Sequence, residues 1–283
     1  MVTLRHLVAW PTLLAWRAAR AVVPAQPGFR AILLHDVPNN QHASLARLIE
    51  VLMRRHTLLT PEQAARQITD PAPISRTAPP ILLTFDDGFA SNYAIARTIL
   101  DPAGLKAVFF VCPGLIDMRR DRQRGAIAAQ IFDGRRPAAD LPHDLTLMDW
   151  NQIAELKAAG HVIGSHGAMH RKLSRLPAEA QTEEIADADR RLTEMLGGKT
   201  DWYAYAFGDI ASIDRMALQT IARHHRFCRS GVRGINSSTT SPLALRGDEL
   251  DLSAPLAYQQ LIADGGLAPL YAKAAQHLDA LAS

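Results

Sequence analysis

Ile81-Leu82-Leu83-Thr84-Phe85-Asp86-Asp87-Gly88 is the stretch that decides the fold. Five uncharged residues, apolar except for Thr84, run without a break into two adjacent carboxylates and a glycine. An apolar run of this length, closed by turn residues, reads as a strand buried on both faces, the kind found in parallel sheets covered by helices. Two carboxylates at the mouth of such a strand are costly unless something uses them. A cation can use one and a proton-transfer role the other, and Gly88 permits the tight turn that would aim them. Acids at a helix N-terminus, complementing the helix dipole, would also explain the pair. The residue types alone leave both readings open.

Working outward, the same texture repeats. Residues 31–34 form an apolar run ending at His35, residues 107–111 end at Cys112-Pro113, and residues 161–163 end at Gly164-Ser165. Helix signatures lie between them. Thr60-Pro61-Glu62-Gln63 combines an N-cap Thr, a Pro at the first helical position and a Gln three residues after the Thr. Residues 93–100 follow the second strand. Thr146 can cap a helix running to about 159 with Gly160 as its stop, and residues 177–196 alternate acids with apolar residues at helical spacing before Gly197-Gly198. Strand and helix alternating in this way imply a parallel sheet with right-handed crossovers. The expected fold is therefore α/β, a distorted parallel (β/α) barrel. The whole chain, 1–283, reads as a single domain, with a barrel over 30–246, an N-terminal helical segment over 1–27 and a helical tail over 247–283. The Pro-rich stretch 71–80 reads as a loop between units.

Composition is that of an ordinary globular chain: 48% hydrophobic, 21% charged and a net charge of +3 over 283 residues, enough length for a sizeable core. The short basic clusters Arg119-Arg120, Arg135-Arg136 and residues 223–226 have no regularly interleaved aromatics, so no nucleic-acid partner is expected. Cys112 and Cys228 sit in apolar surroundings outside any CxxC pair and read as buried thiols. Residues 7–15 are apolar but too short to span a bilayer, Pro11 interrupts them, and Arg17 and Arg20 follow without a small-x-small cleavage site. A packed N-terminal helix is expected there, a signal or membrane-surface segment being the alternative, with no stable membrane span.

The second strand mouth that carries chemistry reads Gly164-Ser165-His166-Gly167-Ala168-Met169-His170. Two His four residues apart converge on one cation if the segment coils, and neutral imidazole is the commonest metal-binding side chain. An incidental pair is the alternative for the HxxxH alone. Joined to the acidic pair, it makes a 2-His-1-carboxylate set that leaves coordination positions open.

These segments carry a resemblance. Thr84-Phe85-Asp86-Asp87-Gly88 resembles the TFDDG motif of the NodB-type polysaccharide deacetylases (carbohydrate esterase family 4), and residues 165–173 are similar to that family's histidine motif. The resemblance covers roughly 32–208 and implies a seven-stranded barrel of the NodB type. It also implies a hydrolase acting on linear amide C–N bonds, which removes N-acetyl or related acyl groups from an amino-sugar polysaccharide or glycan precursor. Asp86 matches the catalytic base. Asp87, His166 and His170 match the ligands of a divalent metal, Zn2+ being the expected ion. His35 stands where a subset of the family acting on exopolysaccharides has a His near the active site; by position alone, a structural hydrogen-bonding role at a strand mouth explains it equally well.

Two departures stand out. The family's Arg-x-Pro-Tyr-Gly motif aligns with Ala204-Tyr205-Ala206-Phe207-Gly208, so the Arg that orients the base is Ala204 here. A backbone N–H at Phe207 can still serve an oxyanion, and Tyr205 is grouped with it on the substrate side. The late Leu-x-His motif has no match. His35 is the resulting candidate acid and Arg246 the candidate partner of Asp86. A carbohydrate is the expected substrate, and no oligomeric state is indicated. Exported glycans suggest an enzyme outside the cytoplasm, but no leader is readable, so a cytoplasmic placement is expected. The rival readings are a glycan-binding relative that has lost catalysis, and an amidohydrolase acting on a small non-sugar amide.

Overall fold

The structure is a computed structural model and describes residues 4–22, 27–70 and 78–283. The strands are β1 (Arg30–Leu34), β2 (Leu58–Leu59), β3 (Ile81–Phe85), β4 (Ala107–Val111), β5 (Val162–Ser165), β6 (Trp202–Ala204), β7 (Phe227–Arg229) and β8 (Asp248–Glu249). The helices are α1 (Leu4–Leu7), α2 (Ala9–Val22), α3 (His42–Arg55), α4 (Pro61–Thr69), α5 (Ala90–Ile95), α6 (Pro113–Ile116), α7 (Arg120–Ala126), α8 (Trp150–Ala158), α9 (Ala178–Leu196), α10 (Arg215–His224), α11 (Leu256–Ala263) and α12 (Ala272–Ala282).

Seven strands lie side by side in the order β7-β6-β5-β4-β3-β1-β8, with β2 added to β3, and every strand pair is parallel. β3 divides one edge between two partners. Its first residues pair with β2 (Leu58↔Ile81) and its last with β4 (Phe85↔Phe109). This sharing displaces β4 along the sheet and distorts the barrel. The ends of the sheet approach each other through residues 245–249. Leu245 bridges to Arg229 of β7, with Leu245 N donating to Cys228 O at 2.9 Å, and Asp248–Glu249 pair with β1. The sheet therefore extends past residue 246 into what the sequence assigns to the tail. A charged two-residue strand has no apolar run to announce it.

Period-two alternation sorts the side chains. Ala31, Leu82, Val108, Phe110, Trp202, Ala204 and Phe227 form one cluster, which fills the barrel interior. Ile32, Leu34, Leu83, Phe85, Phe109 and Val111 belong to another, with Leu45, Leu48 and Leu52 of α3 and Ile153 and Leu156 of α8. Phe85 and Phe109 stack with ring centroids 5.0 Å apart. Burying side chains of this size contributes roughly 1.5–3 kcal/mol each before entropy is charged.

The helix signals are realised in detail at α4. Thr60 accepts from Gln63 N, Gln63 Oε1 accepts from Thr60 N at 2.9 Å, and Pro61 opens the helix. α9 stops at Gly197 in the left-handed conformation, φ 69°. Thr146 does not cap α8. Residues 146–148 run extended beside the β3 turn, Ala90 N donating to Thr146 O and Met148 N to Gly88 O. Asp149 makes the capping box with Gln152 instead. Of the Pro-rich loop, residues 71–77 lie outside the described residues. α2 packs on α11, with Pro11 in its first turn, where its missing N–H costs little.

Candidate active site

The C-terminal ends of β1, β3, β5, β6 and β7 bring together His35, Asp86, Asp87, His166, Ala204 and Arg229, where open parallel sheets and β/α barrels gather their reactive groups. Four non-glycine residues in the described chain have positive φ, and three of them are Asp87 (72°), His170 (57°) and Phe207 (67°). Such conformations are uncommon and cost on the order of 1 kcal/mol or more, so they cluster where geometry is imposed for use. Gly88, at φ 75°, sits against Val111. An added Cβ would approach Val111 Cγ1 to 3.0 Å, so this turn needs glycine both for its dihedrals and for space.

Asp87, His166 and His170 are all buried and present ligand atoms within 4.8 Å of one another. His166 Nδ1 lies 2.7 Å from Ala204 O and His170 Nδ1 3.0 Å from Gln130 O. A carbonyl only accepts, so each imidazole donates its Nδ1–H and turns an Nε2 lone pair inward. Those lone pairs stand 3.5 and 3.3 Å from Asp87 Oδ1, which itself has no hydrogen-bond partner. Three electron pairs converging in a buried site without a proton between them are unfavourable unless a cation joins them, so the donor set fits a divalent metal. Burial works to raise the Asp87 carboxyl, but positive charge placed between it and the two imidazoles outweighs burial and holds it well below the usual carboxylate range.

The histidine loop is tied to α9. Glu184, buried, accepts at one carboxylate oxygen from Met169 N (2.7 Å) and Arg171 N (3.2 Å), while its carbonyl accepts from Ala168 N (3.0 Å). Three main-chain donors flanking His170 are thus fixed to one residue. A Cβ at Gly167, φ 79°, would stand 2.8 Å from the same carboxylate.

Asp86 lies beside this set, its Oδ2 3.8 Å from His166 Nε2. The guanidinium that reaches it is Arg229, whose Nη2 donates to Oδ1 at 2.6 Å and Oδ2 at 2.5 Å. Arg229 is 1% exposed and lies over the Phe110 ring at 5.0 Å. Arg246 does not fill this role. Its guanidinium donates to Ala244 O, Ala275 O and Asp279, because the side chain at 246 points toward α12 and not into the barrel mouth. In the β6–β7 register Ala204 is the partner of Arg229, so the arginine absent at 204 stands one strand over at the same level. A charged residue ending the buried run Phe227-Cys228-Arg229 was the available signal.

The remaining candidates separate. His35 is half-buried at the mouth of β1, its carbonyl accepting from Asn92 Nδ2 at 2.9 Å. Phe207 sits edge-on to His170, ring centroids 4.7 Å apart. Tyr205 does not face substrate. It is 1% exposed in a third cluster, with Ile185, Ile213 and Leu218, and donates its hydroxyl to Gly208 O at 3.0 Å, so it holds the Phe207-Gly208 turn. Phe89, Trp202 and Tyr203 are equally buried, and Trp150 donates to Asp117 and stacks with Arg191. None of these four presents an open aromatic face. Cys112 and Cys228 are free and buried, burial pushing the Cys228 thiol up to about 12.

Beside the Asp86–Ala90 turn lies a cleft of about 220 Å³ lined by Asp36, Asn39, Ser91, Asp144 and Thr146. Burial raises the Asp36 carboxyl although Ser91 donates to it. A larger hollow, about 460 Å³, opens at the opposite end, where β5, β6 and β7 begin. Its His161 is committed at both ring nitrogens, to Ala107 N and Asp101, and no ligand set among the described residues converges there.

Residues 74–224, more than half of the chain, match the family model described as polysaccharide deacetylase, and the chain belongs to that family. YxkH of Bacillus subtilis (strain 168), named for the polysaccharide deacetylases, is 27% identical over 150 residues, which is 53% of this chain and 44% of that protein. The chain thus spans less than half the length of that relative. IcaB from Ammonifex degensii superposes with a TM-score of 0.64 at 19% identity, covering 84% of this chain and 98% of that one. The Streptococcus pyogenes deacetylase PplD, solved with acetate, gives 0.65 at 20%, covering 84% and 99%. At such identities these two likenesses speak for the fold, a curled parallel sheet of the NodB type.

Proposed function

We propose that the protein is a metal-dependent deacetylase that hydrolyses the N-acetyl amide of an amino sugar within a polysaccharide or glycan precursor. The observation that carries the reading is the convergence of Asp87, His166 and His170 beside an arginine-bound Asp86 at the strand mouths. Asp87, His166 and His170 would hold a divalent cation, Zn2+ being suited to two imidazoles and a carboxylate. When bound, the ion supplies Lewis-acid polarisation of an acyl oxygen and acidifies water.

The chain's own groups supply the rest. Asp86 takes the proton from the attacking water as general base, with Arg229 fixing its carboxylate so that one lone-pair direction faces the site. The main-chain N–H of Phe207, on the left-handed turn beside His170, donates to the developing oxyanion, a contribution of roughly 3 kcal/mol where measured elsewhere. His35 protonates the leaving amine from the β1 side. The glycan-binding reading rested partly on the missing arginine, and Arg229 removes that support. Acetate release from an N-acetylglucosamine oligosaccharide is the test. The zinc-loaded protein is expected to release acetate and its Asp86→Asn variant to release none while keeping its metal. Full activity in that variant would sink the assignment of the base, and absence of release from acetylated sugars by the parent protein would sink the reading itself.

A further inference from the structure

Helix α2 buries only one side. Ala9 and Leu13 pack against Tyr258, Leu261 and Ile262, Trp16 Nε1 donates to Asp264 O at 2.9 Å, and Arg17 Nε to Asp264 Oδ2 at 2.7 Å. The free side of α2 shows Trp10, Leu14 and Val22, which are 55%, 49% and 83% exposed, and Leu7, the last residue of α1, is 69% exposed. Leu7, Trp10 and Leu14 follow i, i+3, i+7 spacing and share one stripe. No exposed residue of α2 is charged, and its one exposed hydroxyl, on Thr12, is bonded to Val8 O at 2.8 Å. The outer face of α9, by contrast, carries Asp187, Arg190 and Glu194 in mutual ion pairs. A helix apolar on its free side as well as its packed side belongs against another apolar phase.

The charge around this stripe says which phase. Residues 4–22 hold three arginines and no acid. Of the seven arginines in the first 56 residues, Arg30 is buried against Asp248, and the surface cations of this segment among the described residues are Arg17, Arg20, Arg47, Arg54 and Arg55 against Asp36, Glu50 and Asp264. Arg20 lies over the Trp16 ring at 5.8 Å, and Arg54 of α3, 77% exposed, stands 3.8 Å from the Glu50 carboxylate. A second copy docked on this face would bring two such basic surfaces together, whereas anionic headgroups complement them. No helix among the described residues is long and apolar enough to cross a membrane.

We propose that α2 is an interfacial anchor that lies in the surface of an anionic phospholipid bilayer, with Leu7, Trp10 and Leu14 toward the acyl chains and Arg20 and Arg54 at the phosphate level. The proposal stands on α2 alone and does not depend on the deacetylase reading.

The test is co-sedimentation of the full chain with vesicles of phosphatidylcholine, with and without phosphatidylglycerol. Binding to the mixed vesicles is expected, roughly tenfold tighter than to phosphatidylcholine alone and weakened by salt. The double variant Trp10→Asp, Leu14→Asp changes exposed side chains only, so its circular dichroism and melting temperature should match the parent, while vesicle binding falls by about 100-fold. Arg54→Gln should lower binding to the mixed vesicles and leave the weak binding to phosphatidylcholine unchanged. Failure to bind the mixed vesicles, or equal binding by the double variant, overturns the proposal. So does a dimer in light scattering that the double variant dissolves, which would assign the face to a second copy.

Discussion

At the scale of single residues, the Asp86–Arg229 pair explains how a barrel that lacks the family arginine at 204 still presents an oriented carboxylate. Both groups are almost fully buried, so neither is tolerable without the other. Arg229→Ala should lower kcat/KM by about 10- to 100-fold, the worth of a hydrogen bond to a charged group, and destabilise the fold by roughly 3–5 kcal/mol, with zinc stoichiometry unchanged. Arg229→Lys should recover only part of the activity, because an ammonium loses the guanidinium's second anchor to Ser230 O and its planar seat over the Phe110 ring. Steady-state kinetics beside thermal melts check both. The gathering of Asp86, Asp87, His166 and His170 at strand mouths was legible because each lies in a local motif at the end of an apolar run. Arg229 was not, since its role exists only through the pairing Ala204↔Arg229, and pairing between strands 25 positions apart leaves no local trace.

At the scale of elements, two helices serve the site and its surroundings through one acid each. Glu184 on α9 clamps the loop that carries His166 and His170. Glu184→Ala should weaken zinc binding by about 10- to 100-fold, as loss of outer-shell support does elsewhere, while Glu184→Gln, which keeps a carbonyl acceptor, should restore most of it. Competition with a chromogenic chelator reads both. Asp264, just past α11, joins α2, α3 and α11 through Arg17, Arg55 and His56. Burial acts to raise its carboxyl, but the hydrogen bonds of His56 and Arg17 and the charge of Arg55 outweigh it and hold it below the usual range. A carboxylate depressed in the folded state stabilises at pH values above its unfolded pKa, near 3.9, and that contribution disappears as pH falls through the folded value. The stability gap between the parent and Asp264→Asn, about 3 kcal/mol, should therefore be constant from neutral pH to about 4.5 and narrow below about 4, as denaturant melts at each pH would show. The helices themselves were readable where a capping box or a glycine stop marks them, as at α4 and α9. The start of α8 was not, because residues 146–148 are claimed by main-chain bonds to the β3 turn that no cap signal reveals.

At the scale of the molecule, the curled sheet converts strand mouths that are far apart in sequence into one buried ligand set. The order β5-β4-β3 places the His-bearing mouth two strands from the acidic one, and residues 245–249 draw β7 back toward β1. The parallel barrel was legible from the alternation of apolar runs and helix signals. Its closure was not, because Leu245 and Asp248–Glu249 belong to no apolar run. If the cation joins these mouths, zinc should stabilise the folded chain by about 2.7 kcal/mol at a free concentration 100 times the dissociation constant, visible as a melting temperature higher by several degrees. The most direct test of the central claim is isothermal titration of zinc into chelator-stripped protein beside its Asp87→Ala, His166→Ala variant. About one zinc per chain in the parent and none in the variant is the result predicted. No binding to the parent, or equal binding to both, would contradict the metal centre and the deacetylase mechanism built on it.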